Sequence, residues 1–548
     1  MKRFEGNIVN IFDNSMFYGE IIVKEDRIFQ INKISEINPN SRYFLPGFVD
    51  AHVHVESAMI VPAQFGRMAV VHGTVGSVSD PHEIANVLGV NGVKYMIENG
   101  KTIPFKFCFG APSCVPATNF ETSGATIDSK EIESLIKDED IGYLAEMMNF
   151  PGVLNNDTEV LEKILIAKKY NKPIDGHAPG LTGETAEKYF SAGISTDHEC
   201  FTFEEAEGKL KLGIKVLIRE GSAAKNFEAL IPLAEKYSQL MMFCSDDKHP
   251  DDLAIGHINL LVKRAVQNNI DVFDAIRMAS LNPVRHYDLK IGLLREGEWA
   301  DFIEVNNLKE FKVLKTYING EKVAENGTSL IENLPSKLIN NFNTNKISLT
   351  DLSYAFKKET KSINVIKVND GQLVTDKLIF KLPVNFDETS IDKLLKENEI
   401  SKLVVYNRYK SVPPAIAFVK GFKLKIGAIA SSVAHDSHNI IAVGTDDESI
   451  LDAINLIIRE KGGISAVSEN KMGILKLPIA GLMSDKDGYE VANDYTQIDK
   501  FSKEVIGCEL KSPFMSLSFM ALLVIPSLKL SDKGLFDGNK FEFINLEN

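Results

Sequence analysis

The stretch FLPGFVDAHVHVES, residues 44–57, ends an apolar run on two histidines with one residue between them. Side chains alternate faces along a strand, so His52 and His54 project into the same space. Polar residues recur directly behind other apolar runs: Asp80, His82 and Glu83 in SVSDPHE, Glu146 in YLAEMMNFPG, and His177 in PIDGHAPG. His198 follows in STDHEC, and Asp246 and Asp247 in FCSDDKHPDD. Four imidazoles and two carboxylates converging on one place form a donor set suited to a pair of divalent transition metals. A carboxylate or a hydroxide lying between two such ions can bridge them, and the ions lower the pKa of that water and clamp it for attack. A further carboxylate beside it can take the proton and pass it to a leaving group.

Those residues need a scaffold that gathers the ends of many strands. Between about residues 45 and 285 the chain alternates short apolar runs with amphipathic segments such as IANVLGVNGVKYMIEN and GHINLLVKRAVQNN. The runs end near His54, Asp80, Gly110, Met148, His177, His198, Arg219 and Asp246. Eight strand–helix units over this length predict a TIM-like (β/α)8 barrel, a fold of ~250 residues whose functional groups sit at the C-terminal ends of its strands. β-rich pieces flank the barrel on both sides, GNIVNIF and YGEIIVKEDRIFQI before it and IGLLREGEWADFIEVN and KVLKTYINGEKV after it. They predict one small β-sandwich domain built from residues 1–44 plus 288–335, with the barrel, 45–287, inserted between its halves. The polar, Asn-rich NLPSKLINNFNTNKISLTDLS reads as a linker. Residues 345–548 read as a separate C-terminal α+β domain, in which IIAVGTDDESILDAINLIIREKGG is a strand, a turn and a helix starting near Asp447 or Ser449 and ending at Gly462.

Bulk properties exclude several functions. The chain has 548 residues, 44% apolar and 25% charged, and a net charge of −14. No basic patch is available to replace counterions on a nucleic acid. MKRFEGNIVN lacks the apolar core of a signal peptide, and FMALLVIP is too short to span a bilayer. Five scattered cysteines, at 108, 114, 200, 244 and 508, form neither a disulfide framework nor a zinc-finger spacing. The expected location is the cytoplasm.

The ordered set DAHVHVESAM, SDPHEIANVLG, AEMMNFPGV, DGHAPGLTG, STDHECFTFEEA, IREGSAAKN and CSDDKHPDDL resembles the adenine deaminase family of bacteria and archaea, within the amidohydrolase superfamily. GAIASSVAHDSHNIIAVG, residues 427–444, extends the resemblance into the last domain. The resemblance implies hydrolytic deamination of adenine to hypoxanthine and ammonia in purine salvage or catabolism. It implies two divalent metals, Mn2+ first, with Fe2+ or Zn2+ as alternatives, and a homodimer. His52, His54 and Asp246 would hold one ion, His177 and His198 the other, and Glu146 would bridge them in the place where many amidohydrolases use a carboxylated lysine. A bridging hydroxide would attack C6, and Asp246 would shuttle its proton to the departing amine. Asp80, Glu83 and Glu199 are candidates for protonating a ring nitrogen. Glu83 is grouped with the catalytic residues Asp246 and Glu146, and Asp80, His82, Glu199 and Arg219 with the substrate contacts.

Plainer readings apply elsewhere. His72 and His286 read as structural, Asp247 as a loop residue, and Cys200 and Cys244 as small buried hydrophobes. His249 reads equally as loop packing or as a substrate contact. His435 and His438 in VAHDSHNI fit a metal site, a lid over the barrel mouth or a packed turn. The same barrel could serve another cyclic amide or aminopurine. A non-catalytic scaffold would lack ligands, and no expected ligand is missing.

Overall fold

The structure is a computed structural model and describes residues 1–383 and 388–548. Eight parallel strands follow one another around a barrel: β1 (Phe48–Val53), β2 (Thr74–Ser79), β3 (Lys106–Ala111), β4 (Ile141–Met147), β5 (Ile174–Gly176), β6 (Thr196–Asp197), β7 (Lys215–Arg219) and β8 (Met241–Cys244). Strands β1 to β5 pair in order in one sheet, and β6 to β8 in a second. The sheets meet where Ser195 N donates to Ile174 O at 2.9 Å, and where Asp246 N donates to His52 O at 2.9 Å. The ring therefore closes, and the expected (β/α)8 barrel is what this part of the chain forms.

Local sequence explains the closure. Strands β1, β2 and β8 are buried along their whole length, as parallel strands covered on both faces are, and so they show no alternation of buried and exposed positions. Gly176 ends β5 where a Cβ would lie 2.4 Å from Thr196 O, so only glycine lets β5 approach β6 this closely. A cluster including Ala51, Val78, Tyr143, Leu217 and Met242 fills the barrel beneath the strand ends. The polar groups are thereby confined to the mouth.

The two flanks share one eight-stranded sheet, in the order Thr328–Ser329, Glu321–Glu325, Val313–Ile318, Phe302–Val305, Tyr43–Pro46, Lys2–Asn10, Ser15–Lys24, Arg27–Ser35. It curls on itself, because Ile28 N donates to Glu298 O and Ala300 N to Asp26 O, both at 2.9 Å. Ile8, Ile21, Phe44, Phe302 and Tyr317 fill its interior. The linker runs along the barrel without regular structure up to Ser348, tied by Tyr95 OH to Lys337 O at 2.9 Å and by Ala480 N to Ile339 O at 2.7 Å.

Beyond it lies a second eight-stranded, mixed sheet with the helix Asp447–Glu460 against it. That helix is capped one residue earlier than expected: Asp446 Oδ1 accepts from Ser449 N at 2.8 Å, which is the geometry of an N-cap carboxylate. Helix Gly488–Glu504 packs on helix Pro250–Ile255 at the barrel mouth. Arg67 and Asp487 join the two parts at 2.6 Å. Among the described residues no helix is long and apolar enough to cross a membrane. All five cysteines are free thiols.

One buried cation holds two of the strand ends. Lys209 Nζ donates to Asp197 Oδ2 at 2.8 Å, to Glu205 Oε1 at 2.8 Å and to Ala178 O at 2.9 Å. Asp197 and Ala178 adjoin His198 and His177. Removing one partner of a buried ion pair leaves the other charge uncompensated, at a cost of about 3–5 kcal/mol. Lys209→Met is therefore expected to lower unfolding stability by that amount in urea titrations followed by circular dichroism. A loss below ~1 kcal/mol would mean that Asp197 is not strained by its burial.

Candidate metal centre

The end of β1 presents His52 and His54, whose Nε2 atoms lie 3.2 Å apart. Asp246 leaves β8 with φ at 51°, a turn that brings its carboxylate beside both rings. Its Oδ1 is 3.2 Å from His54 Nε2 and 3.7 Å from His52 Nε2. From the end of β4, Glu146 sends its two oxygens to different places. Oε1 lies 3.3 Å from His54 Nε2 and 3.4 Å from His82 Nδ1. Oε2 lies 2.6 Å from His177 Nδ1 and 3.1 Å from His198 Nε2. His52 and His198 stack, with ring centroids 4.1 Å apart. All seven groups are buried; His177 is the most exposed of them, at 8%.

This geometry fits metal ions better than it fits a hydrogen-bonded core. Ligand atoms ~2.1 Å from a metal stand ~3.0–4.2 Å from one another around it. The distances within His52, His54 and Asp246, and between His198 and Glu146, fall in that interval. Two imidazole nitrogens directed at each other and at one carboxylate oxygen also leave protons competing for a single space. Buried His52 Nδ1 and His177 Nε2 have no hydrogen-bond partner among the described residues. The donor sets His52–His54–Asp246 and His52–Glu146–His198 could each hold an ion. A set formed by His54, Asp80, His82 and Glu146 is also close enough to do so.

The electrostatics follow from crowding. Burial, reinforced by the neighbouring His198 and His54 charges, keeps His52 well below the usual imidazole range. Burial opposes a charge on His198, yet its contact with Glu146 and the charge of Asp246 push it up to about 9. Burial would raise Glu146, but His177, His198 and His54 hold it well below the carboxylate range. Asp246 is held low in the same way by Arg219 and His54. The site is thus built for positive charge at its centre, carried by protons on imidazole when nothing else supplies it.

Around this centre the other expected residues take definite places. Arg219, ending β7, pairs with Glu199 and, at 2.7 Å, with Asp246 Oδ2, while its Nε donates to Ala224 O at 3.0 Å. Four of its five N–H donors are engaged within the protein. Glu199 also faces His198 Nε2 at 3.4 Å. Asp80 Oδ1 accepts from His82 N at 3.0 Å, and His54 Nδ1 lies 3.2 Å from Asp80 O. His82 reaches the cluster through Glu146. Glu83 lies between the cluster and the C-terminal domain: its Oε1 is 3.7 Å from His82 Nε2, and His435 Nδ1 and His438 Nε2 each stand 2.6 Å from its oxygens.

His249 packs edge-on against Tyr495, with centroids 4.6 Å apart. His72 and His286 lie away from the cluster, with Nε2 atoms on Leu253 O at 2.9 Å and near Ser195 Oγ at 3.3 Å. Cys200 and Cys244 are wholly buried, which pushes both thiols well up.

The sequence reading passed over one supporting network. Asp50 Oδ1 accepts from Ser245 N at 2.9 Å, its other oxygen accepts from Ser245 Oγ, and His257 Nε2 lies 2.8 Å from it. His257 in turn contacts Thr74 Oγ1 at 2.7 Å. Asp50 thus pins β1 to β8 just beneath His52 and Asp246. Its only signal was its place two residues before His52.

Known proteins resemble this chain over nearly its whole length. Residues 43–323 match the model of the amidohydrolase family, and residues 372–542 that of the adenine deaminase C-terminal domain. The chain is 54% identical over 543 residues to an adenine deaminase of Sulfurovum sp. (strain NBC37-1), covering 99% of each chain. It is 49% identical over 559 residues to an adenine deaminase of Methanosarcina mazei, covering 100% of this chain and 99% of that one. It is 48% identical over 550 residues to an adenine deaminase of Borreliella burgdorferi, covering 99% of each.

Two histidines provide a contrast on one scaffold. His177→Ala is expected to lower the divalent metal retained after gel filtration, while His72→Ala, outside the cluster, retains as much as the wild type. Elemental analysis of the two variants checks this, and equal retention would remove His177 from the centre.

Proposed function

The chain belongs to the adenine deaminases of the amidohydrolase family, and from that premise we propose how its own residues deaminate adenine. The reaction is hydrolytic: adenine and water give hypoxanthine and ammonia. A divalent metal is implied by the family, and the buried donor set fits one. We assign two ions, Mn2+ first, held by His52, His54 and Asp246 and by His177 and His198. The observation that carries this is the division of Glu146, whose Oε1 faces His54 and whose Oε2 faces His177 and His198. A carboxylate placed in this way is suited to join two ions. When bound, the metal supplies Lewis-acid activation of water at neutral pH.

The remaining chemistry is proton traffic. The water oxygen joins C6 and the C6–N6 bond breaks. One water proton ends on the ammonia and the other on a ring nitrogen. Asp246 takes the first and gives it to the leaving amine. Arg219 aims that carboxylate and keeps it ionised, a role that suits it better than contact with the purine, since four of its five N–H donors are engaged within the protein. Of the three acids considered for the ring nitrogen, Glu199 is committed to Arg219, and Asp80 caps the backbone N–H of His82. Glu83, between two imidazoles that can exchange a proton with it, serves the ring nitrogen best. His82 and Asp80 line the approach from β2. A cytoplasmic homodimer completes the reading; free thiols suit that compartment.

Positioned proton transfer contributes ~10²–10⁴-fold to rate. Asp246→Asn and Glu83→Gln are each expected to reduce ammonia release from adenine by a factor in that range. Unchanged adenine turnover in Asp246→Asn would remove it from the proton path. Metal-replete wild type that releases no ammonia from adenine would move the substrate to another cyclic amine.

A further inference from the structure

Glu83 belongs to the barrel, but what holds it does not. It follows His82 at the start of a short helix behind β2, and it is 1% exposed. His435 and His438 come from the turn between two strands of the C-terminal sheet, Ala428–Ser431 and Ile440–Gly444. His435 Nδ1 meets Glu83 Oε1, and His438 Nε2 meets Glu83 Oε2, each at 2.6 Å. One imidazole nitrogen lies against each oxygen, so the carboxylate is bracketed from the side of the C-terminal domain.

The clamp is itself held. His435 stacks on Phe519, with centroids 4.7 Å apart and planes at 14°. His438 is fully buried, and Arg408, also fully buried, donates to its carbonyl oxygen at 3.2 Å. Arg408 also donates to Ala480 O and to Asn340 Oδ1, which ties the clamp to the sheet and to the linker. On the barrel side, Asn439 Nδ2 donates to Thr122 O at 2.9 Å, which fixes the turn against the loop after β3. Asp436 faces His82 Nε2 at 3.9 Å, so the same turn reaches the residue beside Glu83 as well.

We propose that His435 and His438 are positioning residues of the deaminase site: the C-terminal domain aims Glu83 at the purine, and the barrel alone does not form a complete site. This rests on Glu83 serving the ring nitrogen, as assigned above. The two imidazoles hold the Glu83 carboxyl well below its usual range against burial, which would raise it, so Glu83 rests ionised and the proton it delivers has to come through His435, which the same contact pushes up to about 9. A lid that merely covered the mouth would need neither two imidazoles nor one on each oxygen.

A double-mutant cycle separates action through Glu83 from general structural support. In otherwise wild-type, metal-replete protein, His435→Ala is expected to lower kcat for adenine by ~10²-fold, with KM changed by much less. In the Glu83→Gln background the same substitution is expected to lower kcat by less than about threefold, because the group it positions has already gone. His435→Asn and His438→Gln, which keep an N–H near Nδ1 and Nε2 respectively, are expected to recover part of the loss. Metal content and melting temperature, measured on every variant, should stay at wild-type values. An equal factor in both backgrounds, or a loss confined to KM, to metal or to melting temperature, would overturn the proposal while leaving Glu83 in place. Near wild-type turnover in Glu83→Gln alone would instead overturn the assignment of Glu83, and the proposal with it.

Discussion

Everything at the barrel mouth answers to one constraint: the carboxylate of Glu146 is buried among four histidines, with His54 and His82 on one oxygen and His177 and His198 on the other. Burying ionisable groups away from water is costly unless each has a partner. The mouth therefore balances its charges in pairs. Arg219 sits between Glu199 and Asp246, Lys209 between Asp197 and Glu205, and Glu83 between His435 and His438. Each pair places a group next in sequence to the centre, or in contact with it. The supporting charges thus set the orientation of the ligands as well as paying for their burial.

A centre of this kind can be assembled only from many strands at once. Every barrel strand except β3 contributes one or more groups at its end and buried residues below, so the fold separates the chemistry from its support. The contributions of β1 and β8 are locked together by Asp50, Ser245 and His257, and those of β5 and β6 by Lys209. Rigid support of this sort lets a site keep its geometry while water is excluded. The C-terminal domain belongs to the same arrangement, since its turn at 435–439 closes on Glu83 and on the loop after β3.

Much of this was legible in the sequence, for physical reasons that can be named. A fully buried parallel strand is a short apolar run, and a polar residue at its end stands out against it. That is why His52, Glu146, His177, His198 and Asp246 could be picked out one strand at a time. What the sequence did not reveal is pairing at a distance. Nothing in DPHE and VAHDSHNI says that Glu83 and His435 meet across some 350 residues. Arg219 was legible as a polar strand end, but not as a group with four of its five N–H donors engaged inside the protein. Asp50 was hidden because a carboxylate two residues before a histidine looks like any strand residue. The cap at Asp446 rather than at Asp447 or Ser449 was lost because three adjacent polar side chains compete for one role, and only backbone geometry chooses among them.

The central claim is that the imidazole–carboxylate cluster is a metal centre that deaminates adenine. Protein stripped with a chelator would be titrated with Mn2+ while bound metal and ammonia release from adenine are followed in the same samples. The account predicts that turnover appears with the metal, saturates at about two ions per chain and is lost again on chelation. Full turnover in metal-free protein, or a saturated centre that releases no ammonia from adenine, would contradict it.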